Sequence, residues 1–202
     1  MPDAETRQVA LFPLHVVLFP DGILPLRIFE PRYVRMVSEC LREQMPFAVA
    51  AIVEGDEVGG VARTALHGTL ARIVDFEQGD DGLLELVCVG EQRVEIAATT
   101  AEADNLMRAE VLTLATPPAQ PLPTDLAWMA RLLDEVLARV GAPYDRLSTA
   151  TPTADHVAAR LVELLPLPLS EKQALFDEPD AVERAFRLAG LVNPHGEEVT
   201  VV

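Results

Sequence analysis

Two kinds of hydrophobic spacing divide this chain. In its first half, short apolar runs alternate with polar residues at a period of two, the signature of strands with one covered face. Residues 8–12, 23–28, 67–77, 83–90, 93–97 and 106–114 are predicted as strands, and residues 47–53 form a further short run that is apolar on both faces. Gln78-Gly79-Asp80-Asp81-Gly82 separates two of these strands with the glycine and aspartate chemistry of a hairpin turn. Within residues 67–77 the spacing puts Leu70, Val74 and Phe76 on one face and Thr69, Ala71, Ile73 and Asp75 on the other. One helix interrupts the strands. It opens at Glu30-Pro31, with proline at the first helical position, where its missing N–H costs nothing. Tyr33, Val34, Val37, Cys40 and Leu41 then recur at helical spacing, Arg32, Arg35, Glu39 and Arg42 take the other side, and Pro46 closes the segment. So many strands around a single helix argue for a closed or nearly closed β structure.

The period changes across residues 116–124, where four prolines in nine residues cannot supply a ladder or a helix interior. Three parts are therefore expected: a β domain over 1–115, a proline-rich linker over 116–124, and a helical bundle with a C-terminal tail over 125–202. In the bundle, residues 125–140 place Leu126, Met129, Leu133, Val136, Leu137 and Val140 inward and stop at Gly141, and residues 153–165 form a second helix ending at Pro166. Ser170-Glu171-Lys172-Gln173 has the spacing of a capping box opening a third helix. Asp177 with Pro179 is predicted to start a fourth, ending at Gly190.

Charge narrows the partners. The 202 residues carry 16 basic and 32 acidic side chains, a net charge of −16, which repels phosphate backbones and anionic lipid heads. No nucleic-acid partner and no membrane partner is expected. No apolar run reaches about 18 residues, and Met1-Pro2-Asp3-Ala4-Glu5 lacks the basic-then-apolar order of a signal peptide. Cys40 and Cys88 are the only cysteines, each inside an apolar pattern, and read as small buried hydrophobes. A cytoplasmic protein is the expectation. His15, His67, His156 and His195 are scattered, with no pair at ligand spacing, so neither a metal nor another cofactor is expected.

Familiar catalytic patterns are missing. Lys172 is the only lysine and follows a glutamate, so no phosphate-binding Gly-x-x-x-x-Gly-Lys loop exists. Ser170 and Lys172 lie two apart, a spacing at which helical side chains do not face each other. There is no Gly-x-Ser-x-Gly elbow, and Gly55, Gly59 and Gly60 make no dinucleotide fingerprint. The acidic runs at 54–57 and 80–81 lack the alternating oxygen ligands of a calcium loop and read as solvated turns. No catalytic residue is assigned.

Three blocks carry a resemblance. Leu11-Phe12-Pro13-Leu14, then Phe19-Pro20, then Leu24-Pro25-Leu26 leading into the helix at Pro31, is similar to the opening of the Lon protease N-terminal domain. Gly68-Thr69-Leu70-Ala71, with the later Gly90-Glu91-Gln92-Arg93, resembles that family's Gly-Thr-x-Ala strand and its Gly-x-x-Arg. Residues 164–191 are similar to the helical extension that follows. The resemblance implies an α+β fold, a PUA-like β barrel followed by a small helical bundle. It also implies recognition of protein substrates without cutting them, since the ATPase and serine–lysine protease of Lon lie further along than this chain reaches. Cereblon-like proteins share the domain, but their cysteine-rich zinc module has no counterpart here. Gly68 and Gly90 are expected at bulges or close backbone approaches, and the prolines at 13, 20 and 25 at edges and corners.

The candidate peptide-binding surface is Phe29, Arg32, Tyr33, Arg35 and Met36, around the helix start. Aromatic and sulfur side chains beside guanidinium groups suit an unfolded polypeptide, and an open barrel edge would add strand pairing. The competing reading has Phe29 and Tyr33 filling the seam between helix and barrel. Two other functions stay open: a scaffold docking on a larger protease or chaperone machine, and an RNA-binding PUA-like protein. The oligomeric state is left open.

Overall fold

A computed structural model describes residues 6–55, 57, 62–79, 81–147 and 152–193. The expectations touching the N-terminal pentapeptide, Asp56, Asp80, the two glycines at 59 and 60, and the tail from 194 fall outside these residues. The chain forms two compact units, Met1–Thr116 and Pro117–Val202.

In the first unit β1 (Arg7–Leu14), β2 (Ile23–Ile28), α1 (Pro31–Glu43), β3 (Phe47–Glu54), β4 (Arg63–Gln78), β5 (Leu84–Ala101) and β6 (Met107–Thr113) follow one another. The sheet order is β2-β5-β4-β3-β1-β6, and β5 also pairs with β6. That second pairing closes β1, β3, β4, β5 and β6 into a ring, as the strand-rich pattern predicts. Only β1 and β3 run parallel; the register sets Leu11 against Ala48 and Phe12 against Val49, and α1 lies in the crossover between them.

The period-two pattern now acquires an inside and an outside. Val9, Leu11, Ala48, Ala50, Leu70, Val94, Ile96, Met107, Ala109 and Val111 form one buried cluster contributed by all five ring strands. The alternate residues Ala10, Phe12, Phe47, Val49, Ala71, Leu86 and Cys88 form a second, with Tyr33, Met36, Val37 and Cys40 of α1 packed on them. Strand β3 is apolar over residues 47–52 because both its faces are covered there, one by the barrel interior and one by the helix. The helix stripe is rotated from the sequence reading. Met36 replaces Val34 and Leu41, which are exposed, because the stripe follows the 33, 36, 37, 40 row.

Residues 83–90 and 93–97, expected as two strands, are one. Gly90 is what permits it: a Cβ there would sit 2.2 Å from the Phe19 carbonyl oxygen, and at Gly68 one would sit 2.4 Å from that of Val49. The backbones approach so closely at these positions that only glycine fits. The first half of β5 leaves the ring and pairs with β2 on one side and the end of β4 on the other, Leu26 facing Leu86 and Leu86 facing Phe76. This makes a three-stranded arm.

A register shift between Ile73 and Asp75 changes the faces of β4. Ile73 faces Cys88 and Phe76 faces Leu86, so Phe76 lies on the helix-side face with Ile73, and not with Leu70 and Val74 as strict alternation predicts. Asp75 and Glu77 take the opposite face.

The second unit holds a 3-10 turn (Thr124–Leu126), then α2 (Ala127–Val140), a second 3-10 turn (Tyr144–Leu147), α3 (Ala154–Leu164), α4 (Leu169–Asp177) and α5 (Ala181–Val192). Helix α3 packs against α2, α4 and α5 through Val157, Ala158, Leu161 and Val162, all buried. The proline-rich stretch makes contacts with the start of α3. Pro121 bridges to Thr153, and the Ala154 N–H donates to the Gln120 carbonyl at 3.0 Å. Ser170 does not cap a helix. Pro168, with its preset φ, is the N-cap, no side chain caps α4, and Ser170 falls inside the first turn. The cap of α5 is Asp180, whose carboxylate accepts from the Val182 and Glu183 N–H groups at 2.8 and 3.0 Å; Asp177 ends α4 instead, and Gly190 lies within α5.

Candidate functional site

The five candidate residues at the helix start separate into core, staple and surface. Tyr33 is 5 % exposed and stacks on Phe12 with ring centroids 4.0 Å apart; Met36 is 0 % exposed. Both belong to the core between helix and sheet, so neither side chain is presented to a ligand, which corrects that part of the expected surface. The apolar environment pushes the Tyr33 phenol up to about 12, burial outweighing the nearby Arg32 charge.

Arg32 is also buried. Its guanidinium donates to the Asn105 carbonyl at 2.9 Å and the Glu57 carbonyl at 3.3 Å, pairs with Glu30 at 2.9 Å, and lies 4.6 Å from the Tyr33 ring centroid. It ties the helix start to the β5–β6 turn and the β3–β4 loop. Asn105 adopts φ 65°, a left-handed turn position that aims its carbonyl at the helix. Arg32 is thus a structural staple, and its role as a peptide contact is corrected as well.

Arg35 is half-exposed but engaged. It donates to Glu39 at 2.8 Å, to Asp104 at 2.9 and 3.0 Å, and to Glu102. Arg108 completes the cluster, reaching Glu102 at 2.6 Å and Glu39 at 2.7 Å. The donors from Arg108 and Arg35 hold Glu102 below the usual carboxylate range. Burial opposes the same effect at Glu39 without reversing it. Asp104 is lowered first by the Leu106 N–H and then by Arg35. Glu39, Cys40, Glu43, Met45 and Arg108 line a small cleft beside this cluster.

Phe29 is the candidate that stays on the surface, 58 % exposed between β2 and α1. Sequence reasoning missed its counterpart Phe76, 55 % exposed on the helix-side face of the arm. Leu24, Leu26, Ile73 and Leu84 are half-buried on that face. No periodicity signals the exposure of Phe76, because the register shift before it sets its face.

Both margins of the arm are open. Strand β2 ends the sheet, and β3 pairs with β4 only up to Ala71, so Arg72–Gln78 has no strand partner on that side among the described residues. The two margins differ. The Gly79 N–H donates to the Leu83 carbonyl at 2.8 Å. Hydrogen-bonded pairs then alternate up the ladder, so Glu77–Glu85 and Asp75–Val87 are bonded pairs. Phe76 and Gln78 consequently turn their backbone groups outward. Val87 is turned to β4, so its other neighbour, Pro25, faces outward on the β2 margin, and that margin lacks a donor at its centre.

Burial pushes the Cys40 and Cys88 thiols up to about 11 and about 12, protonated and poorly nucleophilic. Lys172 donates to the Glu163 carbonyl at 2.8 Å, closing the end of α3. No group of three metal-ligating side chains occurs among the described residues.

Comparison with known proteins gives a consistent picture. A family model described as the ATP-dependent protease La (LON) substrate-binding domain matches residues 8–193. Lon protease 2 of Myxococcus xanthus is 25 % identical over 183 residues, covering 88 % of this chain and 22 % of that protein. Cereblon of Danio rerio is 31 % identical over 144 residues, 70 % of this chain and 30 % of its own length. The chain spans about a quarter of the length of the curated relatives it matches. Among solved structures, a Lon N-terminal domain protein from Xanthomonas campestris superposes with a TM-score of 0.72 at 32 % identity, covering 91 % of this chain and 98 % of that one. The N-terminal domain of Mycobacterium avium complex Lon protease, at 18 % identity and TM-score 0.64, shares the fold.

Proposed function

This chain belongs to the Lon substrate-binding domain family, and on that premise we propose that it is a non-catalytic module that binds unfolded or partner polypeptide. The observation that carries the reading is the pairing of a rigid closed barrel with exposed apolar groups, Phe29 beside the helix start and Phe76 on the arm. Exposed aromatic side chains on a preorganised frame supply binding energy at small entropic cost. Phe29 and Arg35 are kept from the expected surface as contact residues, and Phe76 is added to them.

The residues present support binding over chemistry: two buried thiols and a lysine engaged at a helix end. The net charge of −16 disfavours RNA as the ligand. The buried free thiols fit a reducing compartment, which supports a cytoplasmic location. Titration of unstructured apolar peptides, followed by amide chemical shifts, tests the proposal. Shifts centred on Phe29 and the arm are expected. Absence of any shift at millimolar peptide overturns it.

A further inference from the structure

The β4 margin of the arm is a built edge whose side chains specify what pairs with it. We propose that extended segments alternating basic and apolar residues add to this margin as a further strand, an inference that rests on the polypeptide-binding reading above.

Phe76 and Gln78 present their backbone groups to solvent, and Phe76 exposes its ring on the helix-side face. On the other face Asp75 and Glu77 project beside them. Glu77 lies directly opposite Glu85, a like-charge pair. The arginines of the arm are committed elsewhere, Arg27 to Asp81 and Arg72 to Glu91 at 2.6 Å. An added strand places alternate side chains on alternate faces. One set meets Phe76 and asks for apolar groups; the other meets Asp75 and Glu77 and asks for cations.

The Phe76 N–H couples the two requirements. It donates to the carboxylate of its own neighbour, Asp75, at 3.0 Å, so the edge is covered at its central donor. A lysine or arginine arriving opposite Asp75 draws that carboxylate away and releases the N–H to the incoming carbonyl. A neutral strand offers nothing for the carboxylate. A second copy of this chain sets Asp75 and Glu77 against the same acids and is repelled, so the margin resists self-pairing, as acidic edges do. The β2 margin, with Pro25 turned outward, is closed to the same mode of addition.

The test uses the full chain and three peptides long enough to span Arg72–Gln78: one alternating lysine and valine, one with the same residues in two blocks, and one alternating glutamate and valine. The alternating basic peptide binds at low salt about tenfold or more tighter than its block isomer. It slows exchange of the Phe76 and Gln78 amides, and the glutamate peptide does neither. The double variant Asp75→Lys/Glu77→Lys reverses the preference between the basic and acidic peptides. It keeps its fold, since Glu77→Lys replaces a like-charge pair with an opposite one. Equal binding of the block isomer, or binding without protection of those amides, overturns strand addition while leaving the polypeptide-binding reading intact. A preference unchanged in the double variant overturns the charge rule. No binding by any peptide overturns both.

Discussion

Replacing Met36 and Phe29 by alanine, one at a time, separates core from surface across a short stretch of sequence. Met36 is fully buried among α1, Phe12 and Phe47 side chains in the outer cluster. Truncation removes buried methylenes and leaves a cavity the closed sheet cannot collapse to fill, a loss of about 2–5 kcal/mol. With an urea dependence of about 2 kcal/mol/M, that moves the unfolding midpoint down by roughly 1–2.5 M. Phe29 is mostly exposed, and its truncation changes stability by no more than about 0.5 kcal/mol. Binding reverses the order. Phe29→Ala weakens affinity for an apolar peptide by about five- to thirtyfold, the range of an aromatic contact residue, whereas folded Met36→Ala binds as the parent does. Urea titration followed by barrel amide signals gives the midpoints, and peptide titration well below them gives the affinities. A Met36→Ala protein with an unchanged midpoint and weakened binding refutes the assignment of this side chain to the core.

Three further outcomes follow from individual contacts. Gly90→Ala drives a methyl group into the Phe19 carbonyl, and a cost of about 1–3 kcal/mol or more is expected in the same urea assay; a neutral result refutes the close approach. Arg184, buried in α5, donates to the Leu175 and Glu178 carbonyls at 3.0 and 2.7 Å and to Asp155. Arg184→Met leaves the buried Leu175 carbonyl and the half-buried Glu178 carbonyl without those donors and lowers the melting temperature of the helical unit by about 10 °C. Trp128 in α2, the only tryptophan, reports it. The Arg35–Arg108 cluster holds Glu39 and Glu102 below their ordinary value of 4.5. Its contribution is therefore complete above about pH 4.5 and is lost as pH falls through the lowered values. Arg35→Gln flattens the acid limb of a stability–pH curve, and an unchanged limb refutes the coupling.

The strands and helices were largely legible in the sequence because each buries one face, and burial of one face writes a period. Residues 23–28 and the helix opening at Pro31 are found where the pattern puts them. What the pattern misplaced was set by partners distant in sequence. Gly90, expected at a close backbone approach, makes one with the Phe19 carbonyl, but the strand predicted to end there runs on through it. Phe76 changes face through a register shift that only the pairing with β5 defines. Arg32 has the look of a surface cation on a helix, and it is buried because Asn105 and Glu57 bring carbonyls to it from far along the chain. Tyr33 and Met36 left both readings open, since an aromatic and a thioether serve a core seam as readily as a contact surface. The Ser170 box failed for a local reason: Pro168 had already begun the helix.

The architecture explains how an open edge is held ready without fraying. Strand β5 runs from Leu84 to Ala101 without interruption, its first half in the arm and its second in the barrel wall, where Val94 and Ile96 enter the barrel interior. The arm is thus an extension of a buried strand. Its backbone is ordered before any ligand arrives, so an incoming segment bears only its own ordering entropy. Edge strands mounted so firmly are templates for aggregation unless something refuses the wrong partner. Here Pro25 refuses on one margin by lacking a donor, and Asp75 and Glu77 refuse on the other by charge. The second refusal is conditional, because a carboxylate that repels its own kind attracts a cation. Salt screens that attraction over roughly 10 Å at 0.1 M and leaves the apolar contacts at Phe76 and Phe29 untouched. Raising ionic strength therefore removes the selectivity for basic segments and spares the residual affinity for apolar ones.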